Sequence, residues 1–188
     1  MNLEQLTTQA RQAIATSQSI ATELQHAELL PLHVLSALLD DGDRSGLAGS
    51  IIDRCGSDPS ALRDVVTAEL NRLPTVNASG GHMPQTSPAF VTLMNGAAAL
   101  AKSMQDQYVS VEHLLLTLAD TASPARDAIQ AVGLDAKSIR TAVDAIRASS
   151  GVTNITDPGA ESNYEALSKY AIDLNELASS GKLDPVIG

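Results

Sequence analysis

The sequence predicts an all-α fold: a duplicated four-helix repeat, about eight helices in all, followed by a linker and one more amphipathic helix. Three observations lead there. The chain matches itself, with LHVLSALLDD from Leu32 aligning on EHLLLTLADT from Glu112, and IIDRCGSDPSALRDVV from Ile51 on AIQAVGLDAKSIRTAV from Ala128, which marks a structural unit used twice. Apolar residues recur at helical spacing, as in Leu62, Val65, Val66, Leu70 and Leu73 and again in Ile139, Ala142, Val143 and Ile146, and no sustained alternating strand is visible. Aromatics make up only 2% of the chain, so the core is left to Leu, Ile, Val and Ala, a palette suited to close-packed helices.

The first repeat, about residues 1–73, opens with a helix from about Leu3 to Ala21. A second begins near Pro31, where a proline fits the first helical turn,. A third ends at Gly56, a residue type that accepts the left-handed cap, and a fourth starts with Asp58 as N-cap and Pro59 behind it,. Residues 74–87, rich in Gly, Pro, Ser and Asn, read as the loop between repeats,. The second repeat, about residues 88–149, uses the same devices. Ser87-Pro88, Ser110 and Ser123-Pro124 open its first three helices, Gly133 closes the third, and Asp135 caps the fourth. The two halves are expected to bury their apolar faces against each other as one pseudo-twofold domain. Residues 150–162, SGVTNITDPGAES, read as a flexible linker,. Beyond them Leu167, Tyr170, Ala171, Leu174 and Leu177 share one helical face, and residues 163–188 read as the opening of a further, truncated module.

Composition excludes several function classes. A formal net charge of −10 with no basic cluster opposes nucleic-acid binding, whose affinity comes from Lys and Arg replacing counterions,. The single cysteine, Cys55, has no internal disulfide partner, and no signal peptide or spanning apolar run is visible, which points to the cytoplasm and away from a membrane,. His26, His33, His82 and His113 show no zinc-ligand spacing, and His33 and His113 hold the same place in each repeat, as structural hydrogen-bonding residues do,. Glu112 and His113 are adjacent on a helix and project about 100° apart, and no G-x-S-x-G elbow is present, so catalysis is not expected,.

The repeat with EHLLLTL, the linker, a helix of the form K-Y-x-x-D-L-x-x-x-A from Lys169, and then GKLDPVIG together resemble the Clp-type AAA+ chaperones. LNRLP from Leu70, followed by Gly80-Gly81, is most similar to the disaggregating branch of that family. The resemblance implies an amino-terminal domain that captures unfolded or aggregated polypeptide in a shallow apolar groove and passes it to an ATP-driven threading motor. An adaptor-docking domain of a protease-associated unfoldase is the alternative. It further implies that the full-length protein binds ATP and Mg, forms a homo-hexamer and cooperates with a DnaK-type chaperone, whereas this chain alone is a monomer without a cofactor. Pro185, Val186 and Ile187 match the segment that lies along the adenine in the family, but Gly181-Lys182 is not part of a G-x-x-x-x-G-K-S/T loop, so no ATP hydrolysis is expected here,.

Residue by residue, the resemblance places Thr7, Ser87, Asp106 and Glu112 at the polar edge of the groove and Leu100 in its floor. Gly96 and His113 stand at floor positions where the family pattern carries leucine, which makes the groove less apolar. An acidic edge would favour clients with basic residues beside apolar ones. Each residue also has a structural role open to it: Ser87 as an N-cap, Glu112 as a first-turn carboxylate favoured by the helix dipole, Thr7 as a local backbone partner, Leu100 as core.

Overall fold

The computed structural model describes residues 3–40, 46–76 and 83–161. The expected helix beyond the linker, the adenine-contact residues Pro185, Val186 and Ile187, and His82 lie outside the described residues. Among the described residues eight α-helices follow one 3-10 turn: α1 (Thr8–Glu23), α2 (Pro31–Leu39), α3 (Leu47–Arg54), α4 (Pro59–Leu70), α5 (Pro88–Ser103), α6 (Val111–Asp120), α7 (Pro124–Ala131) and α8 (Ala136–Ser150).

The predicted punctuation is where the helices begin and end. Asp58 accepts from the Ser60 N–H at 2.9 Å, Ser87 from Phe90 at 3.1 Å, Ser123 from Arg126 at 3.4 Å and Asp135 from Ser138 at 2.7 Å. Each satisfies an N–H that the helix itself leaves unpaired. Gly56 and Gly133 follow α3 and α7 with φ of 82° and 79°, the left-handed region that a Cβ disfavours. The first helix differs from expectation. Leu3–Gln5 is a 3-10 turn, the chain is extended at Leu6 and Thr7, and α1 starts at Thr8 with Thr7 as its N-cap.

That break lets the two halves interlock. Leu6, in the first repeat, forms a parallel bridge with Val109 of the second. Symmetrically, β2 (Gln85–Thr86), which leads into the second repeat, pairs in parallel with β1 (Glu28–Leu29) of the first, Glu28 opposite Gln85 and Leu29 opposite Thr86. These strands are two residues long, too short to leave an alternating pattern in the sequence. Thr7 and Ser87 are counterparts in this exchange: each caps a 16-residue helix, and their N–H groups donate to Val109 O and Leu29 O.

The core runs through both halves without interruption. Leu35, Leu38, Leu62 and Val66 of the first join Leu93, Leu115, Leu118, Ile129 and Val143 of the second in a single cluster. Across the pseudo-twofold axis α2 packs on α6 and α7, α4 on α7, and α3 on α6 and α8.

The segment expected as a flexible linker is seated on the domain. α8 ends at Ser150, and residues 152–161 then turn back over the second repeat with Ile155 fully buried and Glu161 nearly so. The Gly, Pro, Ser and Thr content that suits a linker also suits a segment held in part by its backbone groups at Ile155 and Pro158.

Candidate functional site

The two histidines at matching positions fix their own tautomers. Nδ1 of His33 accepts the Leu30 N–H at 2.9 Å, and Nδ1 of His113 accepts the Ser110 N–H at 2.9 Å. A backbone N–H only donates, so each ring carries its proton on Nε2. His33 Nε2 lies 2.8 Å from His26 Nδ1, and His113 Nε2 lies 2.9 Å from Asp106 Oδ2. The repeats therefore share one device with different acceptors: His26 in the first, Asp106 in the second. Burial first, then the neighbouring His26, pushes His33 down to about 4.

In the second repeat this device extends into a buried ion cluster. Arg147 of α8 donates to Asp106 at 2.8 and 3.3 Å and to Glu112 at 2.9 Å. Asp106 also accepts the Ile155 N–H at 2.7 Å. Burial works against the Asp106 charge, but the hydrogen bonds from His113, Arg147 and Ile155 outweigh it and hold the carboxyl below its ordinary range,. Arg147 is likewise opposed by burial and held charged by Glu112 and Asp106.

This geometry corrects the expected polar edge. Thr7, Ser87, Asp106, Glu112 and His113 are all buried, with Glu112 and His113 fully enclosed. Thr7 caps α1 by accepting the Ala10 N–H at 3.2 Å, and Ser87 caps α5 while donating to Leu29 O at 2.7 Å. The carboxylates are turned inward on Arg147, so they offer no acidic edge to basic clients. His113 belongs to the interior, held between Ser110 and Asp106, and is absent from the groove floor. Nothing short of alignment to the paired helix would have announced Arg147, which reads in sequence as one more basic residue in a helix's last turn.

Gly96 and Leu100, by contrast, do meet. They line a shallow depression of about 260 Å³ together with Leu116, Thr117, Asp120, Ala136 and Arg140. Three i, i+4 pairs from three helices make it: Gly96 and Leu100 on α5, Leu116 and Asp120 on α6, Ala136 and Arg140 on α8,. Gly96 is a close approach, because a Cβ there would stand 2.8 Å from Cγ2 of Thr117. Thr117 has little room to yield, as its hydroxyl donates to His113 O at 2.7 Å and fixes the rotamer,. The site is thus apolar in the middle, with one carboxylate and one guanidinium beside it. Arg140 is held by Asp144 at 3.4 Å and lies 3.2 Å from the Met104 sulfur. The i, i+4 spacing of each pair was present in the sequence, but which helix faces which was not.

Cys55 caps the C-terminus of α3. Burial, and then the Asp135 carboxylate, pushes its thiol up, the reverse of what a nucleophile needs. Among the described residues no helix is long and apolar enough to cross a membrane.

Comparison with known proteins places this geometry. A family profile described as the Clp repeat (R) N-terminal domain matches residues 5–132. Chaperone protein ClpB of Rhodopirellula baltica is 41% identical over 186 residues, covering 99% of this chain and 20% of that protein. ClpB of Rhodopseudomonas palustris is 38% identical over 189 residues, covering 100% of this chain and 21% of that protein. The chain thus spans about a fifth of the length of these curated relatives. Among solved structures, the Hsp104 N-terminal domain from Candida albicans superposes with a TM-score of 0.70 at 22% identity, covering 83% of this chain and 98% of that one. The N-terminal domain of the caseinolytic protease associated chaperone ClpD from Arabidopsis thaliana gives 0.58 at 23%, covering 77% and 98%.

Proposed function

Because the chain belongs to the Clp repeat (R) N-terminal domain family, we propose that it is the recognition module of a disaggregating chaperone, binding unfolded or aggregated polypeptide weakly and passing it to an ATP-driven threading motor elsewhere in the protein. The observation that carries this reading is the shallow depression between α5, α6 and α8, lined by a half-buried Leu100 and a buried Leu116. An unfolded client differs from a folded protein by its exposed apolar side chains, and a small apolar surface with few polar groups selects those without reading sequence. Weak binding suffices where several tethered copies surround one pore, since tethering raises the local concentration of client. On this reading the module itself needs neither ATP nor a metal, and the whole protein acts as a homo-hexamer in the cytoplasm beside a DnaK-type chaperone.

Asp120 and Arg140 next to the apolar centre, one of each sign, leave no preference for basic clients. The test is an NMR titration with a reduced, denatured model protein. Amide shifts are expected at Gly96, Leu100 and Thr117, with affinity reduced about three- to tenfold in Leu100→Ser, in line with the ~1 kcal/mol that a partly buried leucine contributes to a contact. The fold is shared with the N-domain of a protease-associated chaperone. Saturable binding of one folded adaptor together with silence toward denatured protein would therefore assign the module to adaptor docking instead.

A further inference from the structure

The strap formed by residues 152–161 occupies a site of its own. Its contacts are of a particular kind. The Gln107 N–H donates to Ile155 O at 2.9 Å, and the Thr8 N–H donates to Pro158 O at 2.8 Å. The Val111 N–H donates to a carboxylate oxygen of Glu161 at 2.6 Å, and Asp106 accepts the Ile155 N–H at 2.7 Å. Asn154 donates to Met104 O at 3.2 Å and Gln105 O at 3.1 Å. Thr8 and Val111 are the first residues of α1 and α6, so their N–H groups are among those a helix cannot pair for itself. A carboxylate against the start of α6 is favoured by the helix dipole as well.

Within the strap only Ile155 and Glu161 are buried, while Thr153, Thr156 and Asp157 are exposed. The strap is therefore pinned by Ile155, with Val152 packed on the core beside it, and by one carboxylate six positions after Ile155, with a turn between them in which the Gly159 N–H donates to the Asp157 carboxylate at 2.7 Å and the Ala160 N–H to Asp157 O at 3.3 Å. The receptor side encloses Ile155 completely and supplies three acceptors, the Asp106 carboxylate and the Met104 and Gln105 carbonyls, with three backbone donors. Beyond an aliphatic residue, a turn, a carboxylate and a side-chain amide, those requirements are the carbonyls and amides common to every chain.

We propose that residues 152–161 are an intramolecular ligand, and that the site they fill also takes peptides that carry an aliphatic residue, then a turn, and Asp or Glu six positions after the aliphatic residue. The site lies apart from the depression at Leu100 and draws on α1, α6 and the Gln105–Gln107 turn, so the inference extends the binding role proposed above without resting on the same residues. The strap competes with such peptides. A client is admitted when it displaces the strap, and displacement frees the strap to serve as a longer tether.

The experiment uses the 188-residue chain and the variant Ile155→Ser/Glu161→Gln, with Glu161→Gln alone as a milder second variant should the double change unfold the domain. The probe is a synthetic peptide spanning Val152 to Glu161, with two control peptides carrying Ser for Ile155 and Gln for Glu161. Hydrogen exchange is expected to show the Thr8, Gln107 and Val111 amides protected in the parent chain and exposed in the variant. The peptide is expected to bind the variant at least tenfold more tightly than the parent, shifting those three amides, while both control peptides bind at least tenfold less tightly than the probe. Persistent protection of the three amides in the variant overturns the proposal, as does their exposure without peptide binding. Failure of denatured protein to perturb Leu100 would count only against the groove, because the peptide is read at Thr8, Gln107 and Val111.

Discussion

At the scale of single residues, the pair His26–His33 shows how one ring nitrogen commits its neighbours. Leu30 donates to His33 Nδ1, which leaves His33 Nε2–H to donate to His26 Nδ1, 2.8 Å away. Protonating either acceptor nitrogen sets two donors face to face inside the core. The folded-state value of His33 falls from 6.5 to about 4, and burial lowers His26 as well. The unfolded chain therefore takes up protons first as pH falls. The stability that neutral His33 provides is fully present above about pH 6.5 and is progressively lost toward pH 4. Between pH 7 and pH 5 the loss from this one group is about 2 kcal/mol. Urea denaturation at both pH values checks it. His33→Gln, which keeps an acceptor for Leu30 but does not titrate, is expected to lose most of the slope; an unchanged slope would move its origin elsewhere. The same scale holds what the sequence withheld about the site. Matching positions revealed His33 and His113 as structural, but Glu112 and Asp106 looked like surface carboxylates because their partner Arg147 is distant in sequence and carries no mark of burial.

At the scale of elements, the two repeats solve one packing problem in two ways. α2 and α6 are counterparts, as are α4 and α8. Leu32 and Leu70 occupy in the first repeat the places that Glu112 and Arg147 occupy in the second, and all four are buried. An apolar pair thus stands where the other half holds an ion pair. Removing one member of a buried ion pair strands its partner, so Arg147→Leu alone is expected to cost about 3–5 kcal/mol. Asp106→His/Glu112→Leu/Arg147→Leu, which copies the first repeat, is expected to recover most of that loss. Chemical denaturation of both variants tests this, and a triple variant no more stable than the single one would show that the equivalence stops at the backbone. Helix positions were legible in the sequence because their caps are local: Asp58, Ser87, Ser123 and Asp135 each bond within three residues of themselves. The extended break at Leu6 and Thr7 and the docked strap were not, because both depend on backbone bonds to distant carbonyls and N–H groups, for which side-chain patterns carry no signal.

At the scale of the whole molecule, duplication alone does not make two domains. Each repeat lends the other a strand-like contact, Leu6 to Val109 and Gln85–Thr86 to Glu28–Leu29, and α2 is covered on one side by α6 and α7 of the opposite half. Separated, each half would expose the face of α2 or α6 that now meets its counterpart and would lose the partners of both its strand segments. A unit of about 75 residues has little core to spare for such a loss. Expressing residues 1–82 and 83–188 as separate chains is therefore expected to give two species that bind the dye ANS and unfold without a cooperative transition, the marks of lost side-chain packing. Mixed in equal amounts they are expected to regain a single cooperative melt, because the exchanged contacts need no covalent connection across the loop. Calorimetry of each half and of the mixture decides the matter. A cooperative melt from either half alone would mean that the repeat folds by itself, and that the interlocked strands only orient two finished units around the depression at Leu100.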